Sequence, residues 1–313
     1  MLKIITKPRK TNFLTPSGLR CLANLPTVNV SAGCVHNCVY CYTKGYSVYP
    51  GDKSIEIYEN MAERIAEEIK RKRKKPAAVY FCPSCDPFQP IPEIQQITFE
   101  VMKTLLEKGI GVQFVTKGKI PEEIFELFEK HCSKIAGQIG LIAVDYEILR
   151  IIEPAASKVQ ERLKQLARLI RIGVKMSARC DPLIYGVTDE DEQLHSLFSA
   201  IARTGCRETA VSFLFLRPAI ISGLKKGITD KNLLYKILEP FSEGVRLPIG
   251  LKKSMGTVLP LAVRKLSFER IKKIANNYDI RIHICGCKNR DITDETCYIT
   301  RPLSNGLLFK KSI

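Results

Sequence analysis

Hydrophobic and polar positions alternate in a regular pattern of strands and helices over the first two thirds of the chain. Short runs of β-branched and apolar residues predict six strands, at residues 27–32, 77–81, 112–116, 137–144, 174–178 and 209–215. Apolar residues at helical spacing between them predict helices at residues 56–73, 94–107, 121–131, 156–172 and 190–204. Strands that alternate with helices in this way are typical of βαβ units and a parallel sheet.

The number of these units indicates the fold class. Six strand-helix units in roughly 190 residues are fewer than the eight units, in about 250 residues, of a complete barrel. We therefore predict an α/β fold with a partial (β/α)6 TIM-type barrel at residues 27–216, preceded by an N-terminal segment at 1–26. The pattern is irregular after position 216, where a helix at 267–277 and a strand at 279–284 are predicted, so we interpret residues 217–313 as a C-terminal extension.

Composition adds a second unusual feature, the 12 cysteines in a chain of 313 residues. The chain begins with a basic, polar stretch and lacks the apolar run of a signal peptide, so we expect a cytoplasmic protein with reduced thiols. No uncharged apolar run reaches the roughly 20 residues of a membrane span, so no membrane association is expected. Clustered cysteines in a reducing compartment are more often metal ligands than disulfide partners.

The first cysteine cluster follows the first predicted strand. Cys34, Cys38 and Cys41 have the spacing C-x3-C-x2-C, so their thiolates can face one small centre from a single loop. A structural zinc site normally takes four protein ligands. A [4Fe-4S] cluster held by three thiolates instead leaves one iron open to an outside ligand. A zinc site completed by His36 or by a distant cysteine is the alternative.

The loop at residues 33–42, with Tyr40 before its third cysteine, resembles the radical S-adenosylmethionine (radical SAM) superfamily. The stretches at 86–91, 114–117 and 179–186 look like those of its spore photoproduct lyase-like branch. The resemblance implies an enzyme with a [4Fe-4S] cluster and S-adenosylmethionine as cofactors and an electron donor as partner. Such an enzyme reductively cleaves the cofactor to a 5′-deoxyadenosyl radical, which abstracts hydrogen from a substrate.

The resemblance also implies cofactor-binding residues. Tyr40 matches the aromatic residue whose backbone lies against adenine, and Lys117 matches a lysine near the cofactor carboxylate. Arg179 is a weaker candidate for the same region, and an ion pair with Asp181 or Asp145 is its alternative interpretation. The strand at 137–144 departs from the family, because its carboxyl end lacks the serine or threonine side chains that commonly approach the cofactor.

Three residues are implied as participants in hydrogen-atom transfer. Tyr42 matches a tyrosine proposed to relay a hydrogen atom in the lyase. Cys82 and Cys85 follow the second strand, in the region where the lyase has a hydrogen-donating cysteine, but neither aligns with it without a gap. The alternative interpretations of Cys82 and Cys85 are that they bind a cluster or that they are inert.

A second cysteine cluster lies in the C-terminal extension. Cys285, Cys287 and Cys297 suggest another metal site. One filling is an auxiliary iron-sulfur cluster, with an open iron or a fourth ligand such as Cys21. Another is a zinc ion bound with His283, and buried free thiols are the third interpretation. The isolated cysteines are interpreted as core packing: Cys21, Cys132, Cys180 and Cys206.

The formal net charge of +17 is concentrated in two regions. One is the basic run at residues 70–75; the other is the C-terminal third, with lysine pairs at 225–226, 252–253, 272–273 and 310–311. Basic patches attract phosphates, although a basic run also favours the carboxyl end of a helix. We therefore predict nucleic acid as partner and substrate, for repair or modification. The alternatives are the same chemistry on a peptide or small metabolite, and a non-catalytic metal protein that binds nucleic acid.

Overall fold

The computed structural model describes residues 2–250 and 254–297. Its strands are β1 (Lys3–Lys7), β2 (Thr15–Pro16), β3 (Pro26–Val28), β4 (Ser31–Ala32), β5 (Ser54–Tyr58), β6 (Ala78–Phe81), β7 (Gly111–Thr116), β8 (Ile135–Gly140), β9 (Lys175–Leu183), β10 (Glu208–Phe213), β11 (Val245–Pro248), β12 (Met255–Val258) and β13 (Arg281–Ile284). Its helices are α1 (Met61–Arg71), α2 (Pro92–Glu107), α3 (Glu122–Lys130), α4 (Tyr146–Ile152), α5 (Val159–Arg171), α6 (Asp191–Arg203), α7 (Pro218–Gly227), α8 (Lys231–Leu238) and α9 (Leu261–Asn276).

Among the described residues, the central sheet has eight strands in the order β13-β10-β9-β8-β7-β6-β3-β2. Every neighbouring pair from β3 to β13 is parallel, and only β2 runs antiparallel to its neighbour. Parallel strands that neighbour one another in sequence order, with helices between them, form the wall of a barrel. The sheet keeps two separate edges, so the predicted partial TIM-type barrel is confirmed.

Burial explains why these segments become strands and helices. All residues of β6 and β8 are buried, as expected for parallel strands covered on both faces. Helix α1 buries Met61, Ile65 and Ile69, whose spacing of four places them on one face. The predicted helix at 56–73 begins later than expected because β5 occupies its first residues, where half-buried and buried positions alternate with the period of a strand.

The first predicted strand is divided into two. Strand β3 pairs with β6 in the barrel, whereas β4 turns away and pairs with β5 in a three-stranded sheet of order β1-β5-β4. The N-terminal segment contributes β1 to this smaller sheet and β2 to the edge of the barrel. The chain that leaves β4 therefore starts at the rim of the barrel.

The C-terminal extension continues the barrel. Strand β13 pairs in parallel with β10 and adds a seventh parallel strand to the six predicted. Between β10 and β13 lie α7, α8, the β11-β12 hairpin and α9. The division of the chain at position 216 stays a prediction. No helix in the described residues is long and apolar enough to cross a membrane.

Candidate functional site

The three-cysteine loop leaves β4 at a glycine that no other residue could replace without strain. Gly33 has a φ of 88°, and a Cβ there would lie 2.9 Å from the Ser54 carbonyl oxygen. Within the loop Cys38 is buried, whereas Cys34 and Cys41 are partly exposed. Burial and the neighbouring charges of Asp86 and Cys38 raise the pKa of Cys34. The loop therefore turns sharply and leaves two of its cysteine residues partly exposed.

A buried glutamine fixes the backbone of this loop. The Val35 N–H donates to Gln89 Oε1 at 2.8 Å, and Gln89 Nε2 donates to Ser31 Oγ at 3.0 Å. Gln89 is fully buried, so these bonds form away from water. His36 Nδ1 lies 3.0 Å from the Ala155 carbonyl oxygen and fixes the loop from the other side.

The Asp86 carboxylate links the loop to β7. It accepts hydrogen bonds from Thr116 Oγ1 and the Lys117 N–H, both at 2.7 Å, and His36 Nε2 lies 3.4 Å from its Oδ2. Burial opposes its ionisation, but the charge of His36 and these donors outweigh burial and lower the pKa of Asp86. Burial acts to lower the pKa of His36, but the Asp86 charge and the hydrogen bonds to Asp86 and to the Ala155 carbonyl together outweigh it, so the pKa of His36 is raised. The stretches at 86–91 and 114–117 thus meet beneath the cysteine loop.

A buried ion network lies beside the loop and includes Tyr40 and Lys117, two of the predicted cofactor-binding residues. The Glu153 carboxylate is wholly shielded from solvent, and Arg162 Nη1 lies 2.7 Å from its Oε2. Lys117 Nζ is 3.9 Å from Glu153 Oε1, to which the Tyr40 hydroxyl also donates. Lys117 Nζ lies 5.6 Å from the centre of the Tyr40 ring. Burial raises the pKa of Cys38 to about 12, although the Lys117 charge acts in the opposite direction.

The three residues predicted for hydrogen transfer come together. Tyr42 donates from its hydroxyl to the Pro83 carbonyl at 2.6 Å, which places it on the loop that carries Cys82 and Cys85. Cys82 has a φ of 56°. Burial raises the pKa of Cys82. Burial opposes ionisation of Cys85 too, but hydrogen bonds from Cys82 and Ser31 outweigh it and lower the pKa of Cys85.

Arg179 lies in an ion pair with Asp181, the alternative interpretation of this residue. Its Nη1 donates to Gln138 Oε1 at 3.0 Å and to Cys297 Sγ at 3.4 Å. Asp145, the other candidate partner, caps α4, where its carboxylate accepts from the Glu147 N–H at 2.8 Å. Arg179 therefore lies against the second cysteine cluster.

The second cluster contains the three predicted cysteines and also Cys21. Cys297 Sγ lies 3.8 Å from Cys285 Sγ, and the Cys21 N–H donates to Cys287 Sγ at 3.3 Å. Cys21, interpreted as core packing and also as a possible fourth ligand, lies partly buried against this cluster and contacts its thiols. Cys180 and Cys206 are buried as predicted. His283 Nε2, the candidate zinc ligand, pairs with Glu208.

Several residues of the site were missed in the sequence. Asp86 and Gln89 lie in a recognised stretch, but their part in fixing the cysteine loop depends on contacts across the barrel. Arg162 could have been recognised from the sequence, because it interrupts the apolar face of α5 formed by Val159 and Leu166. A charged residue at such a core position indicates a buried partner. Here that partner is Glu153.

The basic run at 70–75 is fully exposed at the carboxyl end of α1. The lysine pairs at 225–226 and 272–273 are exposed too, whereas 252–253 and 310–311 lie outside the described residues. Aromatic and basic side chains also meet after β10. The Arg217 guanidinium lies 5.1 Å, and Lys288 Nζ 5.2 Å, from the centre of the Phe215 ring.

Comparison with known proteins identifies the family. The model of the radical SAM superfamily matches residues 28–198. The radical SAM Nalpha-GlyT isomerase of Pseudomonas phage M6 is 26% identical over 198 residues, which are 62% of this chain and 41% of that protein. An uncharacterized protein of Mycobacterium tuberculosis is 24% identical over 200 residues, or 61% of this chain and 59% of that protein. The chain thus spans about half the length of these curated relatives.

A mutant of spore photoproduct lyase, solved with bound AdoMet and dinucleoside spore photoproduct, has a similar fold. Its TM-score is 0.68 at 14% identity, and the match covers 90% of this chain and 81% of that one. The family model spans more than half of the chain. The protein therefore belongs to the radical SAM superfamily and has the fold of its spore photoproduct lyase-like branch.

Proposed function

We propose that the protein is a radical SAM enzyme that reductively cleaves S-adenosylmethionine and abstracts a hydrogen atom from a substrate. The observation that carries the proposal is the three-cysteine loop, held at the rim of a parallel partial barrel by Gln89, His36 and Asp86. In parallel α/β folds, chemistry takes place at the carboxyl ends of the strands. The loop, Cys82 and Lys117 all follow strands at this rim.

The loop fits the [4Fe-4S] cluster that the family implies. Cys34, Cys38 and Cys41 supply three soft sulfur donors from one tightly fixed turn. Cys34 and Cys41 remain partly exposed, so the site stays open to a further ligand. When bound, the cluster and S-adenosylmethionine supply the one-electron chemistry that activates a substrate C–H bond.

The chain's own residues bind and orient the cofactor in this proposal. Lys117 offers an ammonium group to the cofactor carboxylate, and Tyr40 offers its backbone to adenine. Glu153 holds both side chains, because it lies beside the Lys117 ammonium and accepts a hydrogen bond from the Tyr40 hydroxyl. Arg179 is assigned to the second cysteine cluster instead, since it contacts Cys297 there.

Cys82, Cys85 and Tyr42 are the proposed participants in hydrogen-atom return. Tyr42 follows the third loop cysteine and bonds to the carbonyl of Pro83, between the two thiols in sequence. This contact supports a path from the cluster loop to the loop after β6. The pKa of Cys85 is lowered and that of Cys82 raised. Burial thus favours the protonated thiol form of Cys82, the form that a hydrogen-atom donor needs.

A nucleic acid is the proposed substrate class. Phe215 carries two cationic side chains over its ring, and the Arg217 charge also acts on Tyr42 and Tyr46. Phe215 itself is buried, but cations attract phosphates, so Arg217 beside Tyr42 and Tyr46 suits the phosphate of a nucleotide. The lyase of similar fold was solved with a dinucleoside bound, which supports the same class. A peptide or small metabolite is the second candidate, and a non-catalytic metal protein that binds nucleic acid is the third.

The test is anaerobic reconstitution of the full chain with iron and sulfide, followed by reduction in the presence of S-adenosylmethionine. We expect formation of 5′-deoxyadenosine by the wild type and none by Cys38→Ala, with Cys132→Ala as the matched control that keeps activity. A reconstituted wild type that carries iron and forms no 5′-deoxyadenosine would contradict the enzymatic proposal.

Deuterated oligonucleotides then test the substrate class. Deuterium that appears in 5′-deoxyadenosine supports hydrogen abstraction from nucleic acid. Label that appears only with deuterated peptides or metabolites favours the second candidate.

A further inference from the structure

Four cysteines from distant parts of the chain lie in one buried group, which we call the four-thiol group. Cys21 belongs to the short helical turn between β2 and β3, at one edge of the barrel. Cys285 and Cys287 directly follow β13, the strand at the other edge, and Cys297 lies further along the chain. The group therefore connects the two edges that the partial barrel leaves unjoined.

Each thiol of the group contacts two others. Cys297 Sγ is 3.8 Å from Cys285 Sγ. The Cys21 thiol is hydrogen-bonded to those of Cys287 and Cys297, and the Cys285 thiol is bonded to the same two. All four are reduced thiols, and the 3.8 Å separation is far longer than the roughly 2 Å of a disulfide.

The separation of the sulfurs indicates the kind of metal. Thiolates bound to one tetrahedral zinc at about 2.3 Å lie roughly 3.8 Å from each other along the tetrahedron edge. The Cys285 and Cys297 sulfurs have this spacing. In a four-iron cluster each cysteine binds a different iron, so the sulfurs would lie further apart. The geometry favours one ion over an iron-sulfur cluster.

The backbone near the group is shaped to bring the cysteines together. Gly286 N–H donates to the Glu295 carbonyl at 3.1 Å, which holds the Cys285–Cys287 turn against the chain that leads to Cys297. A Cβ at Gly286 would lie 2.6 Å from that same oxygen, so a larger residue would separate the two segments. Glycine at this position permits the close approach.

The surroundings suit a negatively charged centre. A divalent ion with four thiolates carries two negative charges, and Arg179 Nη1 lies 3.4 Å from Cys297 Sγ. The Cys21 N–H donates to Cys287 Sγ, as backbone amides do to metal-bound sulfur.

The group packs against the sheet. Cys285, Cys287 and Cys297 form a buried cluster with Leu22, Tyr80 and Ala136, to which Cys21 and Val115 are added as partly buried members. Tyr80, Val115 and Ala136 come from β6, β7 and β8. A metal here would tie both edge segments to the middle of the sheet.

We propose that Cys21, Cys285, Cys287 and Cys297 bind one zinc-class ion as a closed four-thiolate site that fastens the two edges of the partial barrel. Within residues 2–250 and 254–297, no group of His, Cys, Asp or Glu side chains is already set to hold a metal ion. Metal binding would bring all four thiols to the spacing that Cys285 and Cys297 already have, and its free energy would add to the stability of the fold. The site is independent of the catalytic proposal.

The experiment measures zinc and iron per chain in the full-length protein, purified without added metal. The protein carries Cys34→Ala, Cys38→Ala and Cys41→Ala, which remove the ligands of the loop. We expect one zinc per chain and no iron. Adding Cys21→Ser should remove the zinc, whereas adding Cys132→Ser, at a half-buried cysteine outside both groups, should retain it. Iron at several atoms per chain in the triple variant would overturn the proposal, as would a metal-free protein.

Cobalt substitution provides a second measurement that does not require the Cys21→Ser variant to fold. The sample is the triple variant with Cys21 intact, stripped of its metal. Co²⁺ added to it anaerobically should give the intense charge-transfer and visible bands of tetrahedral thiolate coordination, and zinc should displace the cobalt and remove these bands. Spectra of octahedral cobalt, or unchanged zinc content in Cys21→Ser, would contradict the four-thiolate site.

Discussion

The two cysteine groups of this protein differ in how the chain holds them. The loop group comes from eight consecutive residues and is fixed by other side chains, chiefly Gln89 and Asp86. The four-thiol group comes from both ends of the chain and is held by contacts among its own sulfurs. The first is partly exposed, and three members of the second are buried. Catalytic metal sites keep an open position, whereas structural sites are closed.

This contrast indicates a division of work. A metal group that must accept an outside ligand needs rigid support from residues that do not bind the metal themselves. The buried polar side chains that contact the loop provide this support. A group that only joins segments needs no such support. The comparison leads to four predictions.

The largest effect is expected from cysteine substitutions that separate the two groups. Cys38→Ala should abolish iron binding and 5′-deoxyadenosine formation while zinc content and the melting temperature stay close to those of the wild type. Cys285→Ala should remove zinc and lower the melting temperature. Metal analysis and thermal unfolding of both variants test this. A variant that loses both iron and zinc would contradict the separate roles of the two cysteine groups.

The second prediction concerns the buried carboxylate beside the loop. Glu153→Gln leaves Arg162 and Lys117 without their buried counter-charge, and breaking such a pair costs about 3–5 kcal/mol. Urea unfolding at neutral pH should show this loss. Glu147→Gln is the matched control, because Glu147 pairs with Arg150 on the surface and its removal should change stability little.

The same network has a pH dependence. The Glu153 carboxylate has a lowered pKa, because the charges of Arg162 and Lys117 outweigh the effect of burial. A carboxylate whose pKa falls on folding stabilises the protein above its unfolded value and loses that contribution as pH falls. The stability difference between wild type and Glu153→Gln should therefore narrow below about pH 4.3. A difference that widens in acid would contradict this account.

The third prediction concerns the support of the loop. Gln89→Ala leaves the Val35 N–H and the Ser31 hydroxyl without their buried partner, at a cost of about 1–3 kcal/mol. The variant should also lose iron faster than wild type during gel filtration, and zinc should be retained. Gln96→Ala, at a surface glutamine bonded to Glu100, should match the wild type in both measurements.

The smallest effect is expected from the exposed basic run. Neutral residues at positions 70–75 should flatten the salt dependence of oligonucleotide binding, by about 0.9 in the logarithmic slope for each phosphate that the run neutralises in the wild type. Binding measured between low and moderate salt tests this. An unchanged slope would show that residues 70–75 do not contact the nucleic acid.

The sequence predicted the barrel strands well because they depend on local pattern, and hydrophobic periodicity located β6 to β10. The spacing of Cys34, Cys38 and Cys41 is local too, and the ligand role that it indicates stays a prediction. The split of the first strand was missed, since β4 pairs outside the barrel. Glu153 was missed because its partner Tyr40 lies 113 positions away along the chain. Cys21 was named only as one possible fourth ligand, since its contact with Cys287 spans 266 positions.

The distance in sequence between Cys21 and Cys287 has a consequence for biosynthesis. A chain is made from its N-terminus, so Cys21 is synthesised 266 residues before Cys287. Assembly of the four-thiol group, as proposed above, would then be a late step in the folding of the barrel. A chain that stops before β13 would leave β10 at the edge of the sheet, with backbone groups free to pair with other chains.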